Sequence, residues 1–171
     1  MSLIQSFDPL IGKLPRILIL GSMPGVISLN QQQYYAHPRN QFWPIMSELL
    51  GIRWEHDYSK RIAQLKTQPL ILWDVLRACQ RAGSLDSAIA ANDLIANDIS
   101  GLLNSYPDIS TIAFNGAAAE KYFRRLVQPH LAAGKQLKLV RLPSTSPANA
   151  AKSFQQKLLE WRLIKGSLSA L

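Results

Sequence analysis

A polar segment at residues 21–44, GSMPGVISLNQQQYYAHPRNQFWP, constrains this chain more than any other stretch. It follows the apolar run 16–20, RILIL, whose length and composition predict a buried strand. Loops of about twenty residues are uncommon in compact domains unless they have a function. This loop combines adjacent tyrosines, a His-Pro-Arg-Asn run and a Phe-Trp pair. Aromatic faces, amides and a backbone restrained by Pro and Gly suit a pocket for a planar heterocycle.

Four apolar runs predict strands, and the stretches between them predict helices. The runs are 16–20, 70–75, 110–114 and 137–142. Helical periodicity is expected over 42–50, 57–66, 84–103, 116–126 and 149–163. Strands that alternate with helices imply a parallel sheet covered on both faces. We therefore expect one α/β domain over residues 1–171, a three-layer α/β/α sandwich with a central four-stranded parallel sheet.

Polar and glycine residues follow the ends of all four predicted strands. Gly21 follows the first, Asp74 lies at the end of the second, Asn115 follows the third and Ser144 comes shortly after the fourth. In open α/β sheets, ligands bind beyond the carboxyl ends of the strands. The strand assignment therefore predicts a single site at this edge of the sheet.

The charge and composition of the chain limit its partners and its chemistry. A formal net charge of +8 favours a polyanionic partner, nucleic acid first, although a generic basic protein kept soluble by its charge has the same balance. The chain has no run of eighteen apolar residues, so no transmembrane helix is predicted. One cysteine, Cys79, and three scattered histidines supply no disulfide, iron–sulfur or metal-ligand spacing. We therefore expect no metal, no cofactor and no membrane contact.

Two motifs flank most of the chain. Residues 21–25, GSMPG, followed by 35–43, YAHPRNQFW, form the first motif, and residues 142–149, LPSTSPAN, form the second. Together they resemble the uracil-DNA glycosylase superfamily, in the branch that contains mismatch-specific and hypoxanthine (deoxyinosine) DNA glycosylases. The second motif lies where that superfamily has its minor-groove loop, so the resemblance covers nearly all 171 residues.

The resemblance implies a monofunctional DNA glycosylase of base excision repair that hydrolyses deoxyinosine to hypoxanthine and an abasic site. Its partner would be double- or single-stranded DNA containing a deaminated base. We expect a monomer in the cytoplasm, associated with the nucleoid in a prokaryote. No catalytic lysine that could form a Schiff base is evident near the motifs, so no lyase step is expected. Two alternatives stay open: a mismatch-specific uracil or thymine glycosylase, and a non-catalytic nucleic-acid-binding module.

Two positions depart from the pattern of the superfamily. Met23 stands where the mismatch-specific relatives have an Asn that positions water and the ordinary uracil enzymes have an Asp. A thioether can neither orient nor deprotonate water. Leu142 stands where the uracil enzymes have a His that supports the departing uracil oxygen. The loss of both groups argues against efficient uracil removal and favours a branch that accepts purines.

Asn40 and Asn115 are the catalytic candidates. The Asn40 amide can accept from a water and donate to a base, although it is no general base. The mechanism would therefore depend on departure of the base and stabilisation of the sugar cation. Alternatively, Asn40 caps the helix predicted to begin near Phe42. Asn115 could read the base edge or help to hold the water, and its alternative is likewise a cap at the strand-to-helix turn.

Base removal also needs an extruded nucleotide, a stacking platform and hydrogen bonds to the base edge. Tyr35 matches the base-stacking aromatic of the family, and its alternative is a partly buried loop tyrosine. Asp74 could accept a hydrogen bond from an N–H of hypoxanthine, or it could be the structural partner of Arg77 or Arg81. The remaining base-binding candidates belong to the first motif: Gly21, Ser22 and Met23.

The loop 143–147, PSTSP, is small, rich in hydroxyls and stiffened by two prolines. Such a loop suits insertion into a minor groove and hydrogen bonds to phosphate. Among the basic residues, Arg39 beside the pocket segment and Lys152 near the second motif are the DNA-binding candidates. The loop residues expected to contact DNA are Pro143, Ser144, Thr145 and Ser146.

Overall fold

A five-stranded sheet forms the centre of the molecule in the computed structural model, which describes residues 3–169. In chain order the strands are β1 (Leu3–Gln5), β2 (Leu10–Ile11), β3 (Ile17–Gly21), β4 (Leu70–Asp74), β5 (Leu76–Gln80), β6 (Ile95–Ala96), β7 (Thr111–Asn115) and β8 (Lys138–Leu142). The α-helices are α1 (Val26–Gln31), α2 (Phe42–Leu50), α3 (Tyr58–Leu65), α4 (Ile99–Ser105), α5 (Ala117–Leu126), α6 (Phe154–Trp161) and α7 (Lys165–Leu168). Among the described residues, no helix is long and apolar enough to cross a membrane.

The central sheet has the strand order β2-β4-β3-β7-β8. The neighbours β4, β3, β7 and β8 are parallel, so the predicted four-stranded parallel sheet is confirmed. β2 adds an antiparallel edge strand that is too short to leave a pattern in the sequence. In the register of the sheet, Gly21 lies opposite Asp74 and Asn115 lies opposite Leu142. The ends of the parallel strands therefore meet at one edge, where α/β proteins bind ligands.

Helices cover both faces of the central sheet, as the three-layer prediction requires. Successive strand residues point to opposite faces, so Ile17 and Ile19 pack against α2, α6 and α7. Leu18 and Leu20 pack on the other face against α4 and α5. Two separate apolar clusters result, one on each side of the sheet, and they hold the strand ends rigidly in place.

The helix predicted over residues 84–103 is wrong. The chain there forms a 3₁₀ turn at Asp86–Ala88 and then β6, and only α4 is helical. The Asp98 side chain accepts a hydrogen bond from the Gly101 N–H (2.9 Å), which fixes the start of α4. Upstream, β6 pairs with β5 and completes a second, antiparallel sheet with the order β1-β5-β6. Ile89 is buried in the same apolar cluster as α4. The apolar residues of separate elements therefore have the spacing of one helical face in the sequence.

Two other segments differ from the prediction: the polar loop contains a helix, and the last helix is shorter than expected. The polar segment 21–44 contains the helix α1 as well as the first residues of α2. The last predicted helix, 149–163, is replaced by α6 with a 3₁₀ turn after it. A capping box explains the later start of α6, because the Ser153 and Gln156 side chains each accept from the backbone N–H of the other.

Candidate active site

A pocket of about 390 Å³ lies at the carboxyl ends of β3, β4 and β7. Its volume is within the range typical of small-molecule sites. The pocket is at the edge of the sheet where the strand ends predicted a single site. Of the predicted site residues, it is lined by Gly21, Ser22, Met23, Tyr35, Asn40, Asp74, Asn115, Ser144, Thr145 and Ser146.

Hydrogen bonds join the two sequence motifs across the pocket. The Gln41 backbone N–H donates to the Thr145 carbonyl oxygen (3.0 Å). Asn115 accepts from the Thr145 N–H and donates to Thr145 Oγ1, both at 2.9 Å. Asn115 does not cap α5, whose N-cap residue is Gly116 without a side-chain cap. Its amide instead orients the loop of the second motif, and its direct catalytic role stays a prediction.

Tyr35 presents a supported aromatic ring to the pocket. The ring stacks on Phe42 with 4.2 Å between centroids and an interplanar angle of 24°. Tyr35 is half-buried and lines the pocket, so Phe42 supports a ring that can still meet a ligand. Its hydroxyl is buried without a hydrogen-bond partner among the described residues. Burial, and then the nearby Asp74 carboxylate, raise the pKa of this hydroxyl well above its usual value, although the neighbouring Asn115 side chain acts in the opposite direction.

Gly21 allows Asp74 and Tyr35 to converge on the floor of the pocket. A Cβ atom at this position would lie 2.5 Å from Asp74 Oδ1 and 3.0 Å from the Tyr35 hydroxyl oxygen. Separations this short are excluded for a carbon atom in van der Waals contact. Any other residue at position 21 would therefore displace one of the two polar groups.

Asn40 precedes Gln41, the N-cap residue of α2, and its catalytic role stays a prediction. Its Oδ1 accepts a hydrogen bond from the Phe42 backbone N–H (2.9 Å), two residues along, at the start of α2. The residue also lines the pocket. Because the N–H group requires the amide oxygen, the orientation of the amide is fixed, and Nδ2 and the second lone pair of Oδ1 remain available to a ligand or a water. Nδ2 has no hydrogen-bond partner in residues 3–169.

Comparison with known proteins identifies the family. The sequence profile of the Uracil DNA glycosylase superfamily matches residues 9–164. The chain belongs to the uracil DNA glycosylase superfamily. The resemblance carried by the two motifs is thereby confirmed, and so is the fold that it implied.

Three similar proteins match this chain over nearly its whole length. A protein from Methanosarcina barkeri described as a hypoxanthine DNA glycosylase is 35% identical over 159 residues, 92% of this chain and 94% of that protein. One from Methanosarcina acetivorans with the same description is 35% identical over 161 residues, 94% and 96% of the two chains. A solution NMR structure from Methanosarcina acetivorans, provisionally assigned as a uracil DNA glycosylase, matches with a TM-score of 0.78 and 33% identity, covering 96% of this chain and 97% of that one.

In this superfamily member, Met23 packs into the core as well as lining the pocket. It is 6% exposed and belongs to the apolar cluster formed with Leu18 and Leu20. Its backbone oxygen faces the Arg81 guanidinium (3.5 Å). The side chain that departs from the superfamily pattern is therefore an apolar wall of the pocket.

Asp74 is buried beside the pocket without the arginine partner that was one alternative for it. Its side chain is 3% exposed, and Oδ2 has no hydrogen-bond partner among the described residues. Arg81 donates instead to backbone oxygens of the first motif, and Arg77 is exposed. Burial, reinforced by the negative charge of Asp86, raises the pKa of Asp74 to about 7, although Arg81 acts in the opposite direction. The carboxyl therefore keeps its proton over part of the neutral pH range.

One wall of the pocket that the sequence did not indicate belongs to the segment 81–89, of which Ser84, Leu85 and Asp86 line the pocket. The Ser22 hydroxyl donates to the Asp86 carboxylate (2.6 Å), and the Val26 N–H donates to Ser84 Oγ (2.9 Å). These contacts join the segment to the first motif, and Leu85 between them lines the pocket. The partners are about sixty positions apart in the chain, so no local pattern could have indicated them.

Three predicted DNA-binding residues lie outside this pocket. Arg39 is exposed and its backbone N–H donates to the His37 ring (3.0 Å). Pro143 and Lys152 line a neighbouring cleft, where Lys152 forms an ion pair with Glu160. Contacts of these residues with DNA stay predictions. Within the described part of the chain, no group of three or more acidic, histidine or cysteine residues could hold a metal ion.

Proposed function

We propose that this protein is a monofunctional DNA glycosylase that hydrolyses the N-glycosidic bond of deoxyinosine and releases hypoxanthine. The observation that carries the proposal is the pocket floor, where the supported Tyr35 ring lies beside unpartnered polar atoms of Tyr35 and Asp74. Buried polar groups without partners are rare in proteins, and a ligand that supplies hydrogen bonds explains them. Two relatives described as hypoxanthine DNA glycosylases match nearly the whole chain and support the same activity.

The pocket residues suggest how the base is removed. The deoxyinosine leaves the base stack, and its base stacks on the free face of Tyr35. As the glycosidic bond breaks, the sugar becomes an oxocarbenium ion that a water captures. The Asn40 amide, oriented by the Phe42 N–H, would hold that water through Nδ2 or the second lone pair of Oδ1. No lysine is among the described residues lining the pocket, which agrees with hydrolysis without a lyase step.

The net charge of +8 supports attraction to DNA, because each neutralised phosphate releases counterions. The loop of the second motif is well placed to contact the strand, since it lines the pocket and is buttressed from behind. The Trp161 indole N–H donates to the Pro143 carbonyl oxygen (2.9 Å), and the buried Lys157 ammonium faces the Ser146 carbonyl oxygen (3.5 Å). We also propose that the protein acts as a monomer on DNA that contains a deaminated base.

A base-release assay tests the proposal directly. Duplex and single-stranded oligonucleotides that contain deoxyinosine, deoxyuridine or deoxyxanthosine are incubated with the full chain, and the released bases are separated by chromatography. We expect hypoxanthine to be released fastest. Preferential release of uracil would favour the mismatch-specific alternative, and binding without release of any base would favour the non-catalytic module.

A matched pair of glycine variants locates the activity in the pocket. Gly21→Ala places a carbon atom against Asp74 and Tyr35, so we expect hypoxanthine release to fall at least about ten-fold through the loss of correct positioning. Gly166→Ala places the same atom in open space on α7 and should leave the rate unchanged. Single-turnover rates measured on one deoxyinosine duplex compare the two. Equal rates would remove the pocket from the mechanism.

Met23→Asn tests whether the lost amide limits uracil removal. The amide would restore a water-positioning group at the pocket wall, so we expect faster release of uracil relative to hypoxanthine. A buried amide among apolar side chains should also lower the free energy of unfolding by about 1–3 kcal/mol. Met23→Leu preserves the apolar wall and is the control for altered packing. A uracil rate that is unchanged in a folded Met23→Asn protein would show that another feature limits uracil removal.

A further inference from the structure

The Asp74 carboxyl lies where it can act on a base bound in the pocket. It lies at the end of β4, directly across from Gly21 in the register of the sheet, and it lines the pocket. Its Oδ2 is buried with no partner among residues 3–169, and the unpartnered Tyr35 hydroxyl lies beside the same glycine. Structural carboxylates are normally satisfied by hydrogen bonds or ion pairs. An unsatisfied carboxyl at the floor of a pocket is therefore explained better by chemistry than by folding.

The groups around Asp74 keep it protonated near neutrality. From the segment 81–89, the negative charge of Asp86 favours the protonated form, whereas Arg81 opposes it. From the polar segment 21–44 come the hydroxyls of Tyr34 and Tyr35, both of whose pKa values are raised mainly by burial. Burial of Asp74 itself is the largest influence and brings its pKa to about 7. A buried acid with a pKa close to the working pH is suited to proton transfer.

The leaving group of the proposed reaction needs such an acid. A purine departs from the sugar with the electron pair of the glycosidic bond, and protonation of N7, its most basic ring nitrogen, neutralises the charge. Neither Asn40 nor Asn115 can supply a proton, because a carboxamide does not titrate. Burial raises the pKa of Asp86 as well, but Asp86 is only half-buried and its carboxylate already accepts a hydrogen bond from the Ser22 hydroxyl, which acts in the opposite direction. Asp74 is the one acid lining the pocket that is both fully buried and free of a hydrogen-bond donor within the described chain.

We infer that Asp74 is the general acid that protonates N7 of the departing hypoxanthine, an inference that rests on the proposed function. The bond between C1′ and N9 breaks, and its electron pair moves into the purine ring. The carboxyl proton passes to N7, so hypoxanthine leaves as a neutral base and Asp74 becomes a carboxylate. Water adds to C1′ of the oxocarbenium ion and loses a proton, which returns the Asp74 carboxyl to its acid form.

If Asp74 is the general acid, the rate of hypoxanthine release must fall as the pH rises. The reactive form is the protonated one, so the rate should be flat below the pKa of Asp74 and should fall above it. With a pKa of about 7, the single-turnover rate of hypoxanthine release should decrease about a hundred-fold between pH 6 and pH 9. Asp74→Asn should be about a hundred-fold slower than the unmodified chain at pH 6 and should lose this decrease. A rate that rises with pH would mean that Asp74 acts as an ionised hydrogen-bond acceptor, and would overturn the inference.

Two neighbouring variants separate Asp74 from the other titratable groups of the pocket. Asp86→Asn keeps an acceptor for the Ser22 hydroxyl but removes the negative charge, so the midpoint of the pH profile should move to lower pH. His37 also lines the pocket. His37→Gln should retain the midpoint of the unmodified chain. A midpoint that disappears with His37, or that fails to move in Asp86→Asn, would assign the profile to another group.

A modified substrate tests the site of protonation. 7-Deaza-2′-deoxyinosine carries carbon in place of N7 and presents the same Watson–Crick edge as deoxyinosine. The unmodified chain should release hypoxanthine from deoxyinosine at least about a hundred-fold faster than 7-deazahypoxanthine, and this ratio should shrink at least ten-fold in Asp74→Asn. The same ratio in both proteins would overturn the inference while leaving the proposed function intact. Failure to release hypoxanthine at any pH would instead overturn the proposed function.

Discussion

Replacing Asn40 by alanine is expected to lower the single-turnover rate of hypoxanthine release by about a hundred-fold or more. The Phe42 N–H fixes the amide through Oδ1, and Nδ2 is left without a partner at the pocket. A preoriented donor of this kind can hold the attacking water or stabilise charge that develops in the transition state. The rate is measured with enzyme in excess over a deoxyinosine duplex, so that binding and product release do not contribute.

A serine at the same position separates this role from the structural one. The Asn40 oxygen also satisfies a backbone N–H of α2, and losing such a hydrogen bond costs about 1 kcal/mol of unfolding free energy. A serine hydroxyl can still accept from the N–H two residues along, although more weakly, but it lacks the amide donor. We therefore expect Asn40→Ser to be nearly as stable as the unmodified chain and nearly as slow as Asn40→Ala. Recovery of the rate in Asn40→Ser would reduce Asn40 to a structural residue at the start of α2.

The sheet was predictable from the sequence because three of its strands, β3, β4 and β7, are buried at every position. β3 and β4 are apolar at almost every position and end in a glycine and an aspartate, a change in character that marks the strand ends. β2 and β6 contain two residues each and pair at edges, so neither leaves a periodic signal. Their positions are set by partners that are distant in the chain, which a local pattern does not report.

The pocket was predictable where its residues sit at strand ends or inside a motif. Tyr35 and Asn40 are in the first motif, whereas Asp74 and Asn115 terminate parallel strands, and all four line one cavity. The connections among such residues were not predictable. The Asn115 amide is committed to a loop thirty positions away, and the expected arginine partner of Asp74 is engaged by backbone oxygens. Side-chain pairing depends on tertiary geometry that residue types and spacing do not determine.

Tyr35→Ala is expected to weaken capture of a hypoxanthine-containing site by about 5- to 150-fold, the effect of losing a stacking interaction worth about 1–3 kcal/mol. The ring has one face on Phe42 and lines the pocket, so it provides a rigid platform for the flipped base. Binding to undamaged DNA of the same sequence should change little, because no base is extruded there. Dissociation constants for the two duplexes at one salt concentration give the comparison.

Two control variants distinguish stacking from a general loss of packing. Tyr35→Phe retains the ring and removes a hydroxyl that has no partner in the described residues, so stability should be almost unchanged. Binding to a hypoxanthine site should keep the stacking contribution and lose at most one hydrogen bond to the base, worth about 0.5–1.5 kcal/mol. Tyr106→Ala removes another half-buried tyrosine ring, one that packs against the core on the opposite face of the sheet. It should lower the free energy of unfolding without altering the preference for a hypoxanthine site. If Tyr35→Ala weakened binding to damaged and undamaged duplexes equally, Tyr35 would be a structural residue of the loop, and the platform for the base would have to lie elsewhere in the pocket.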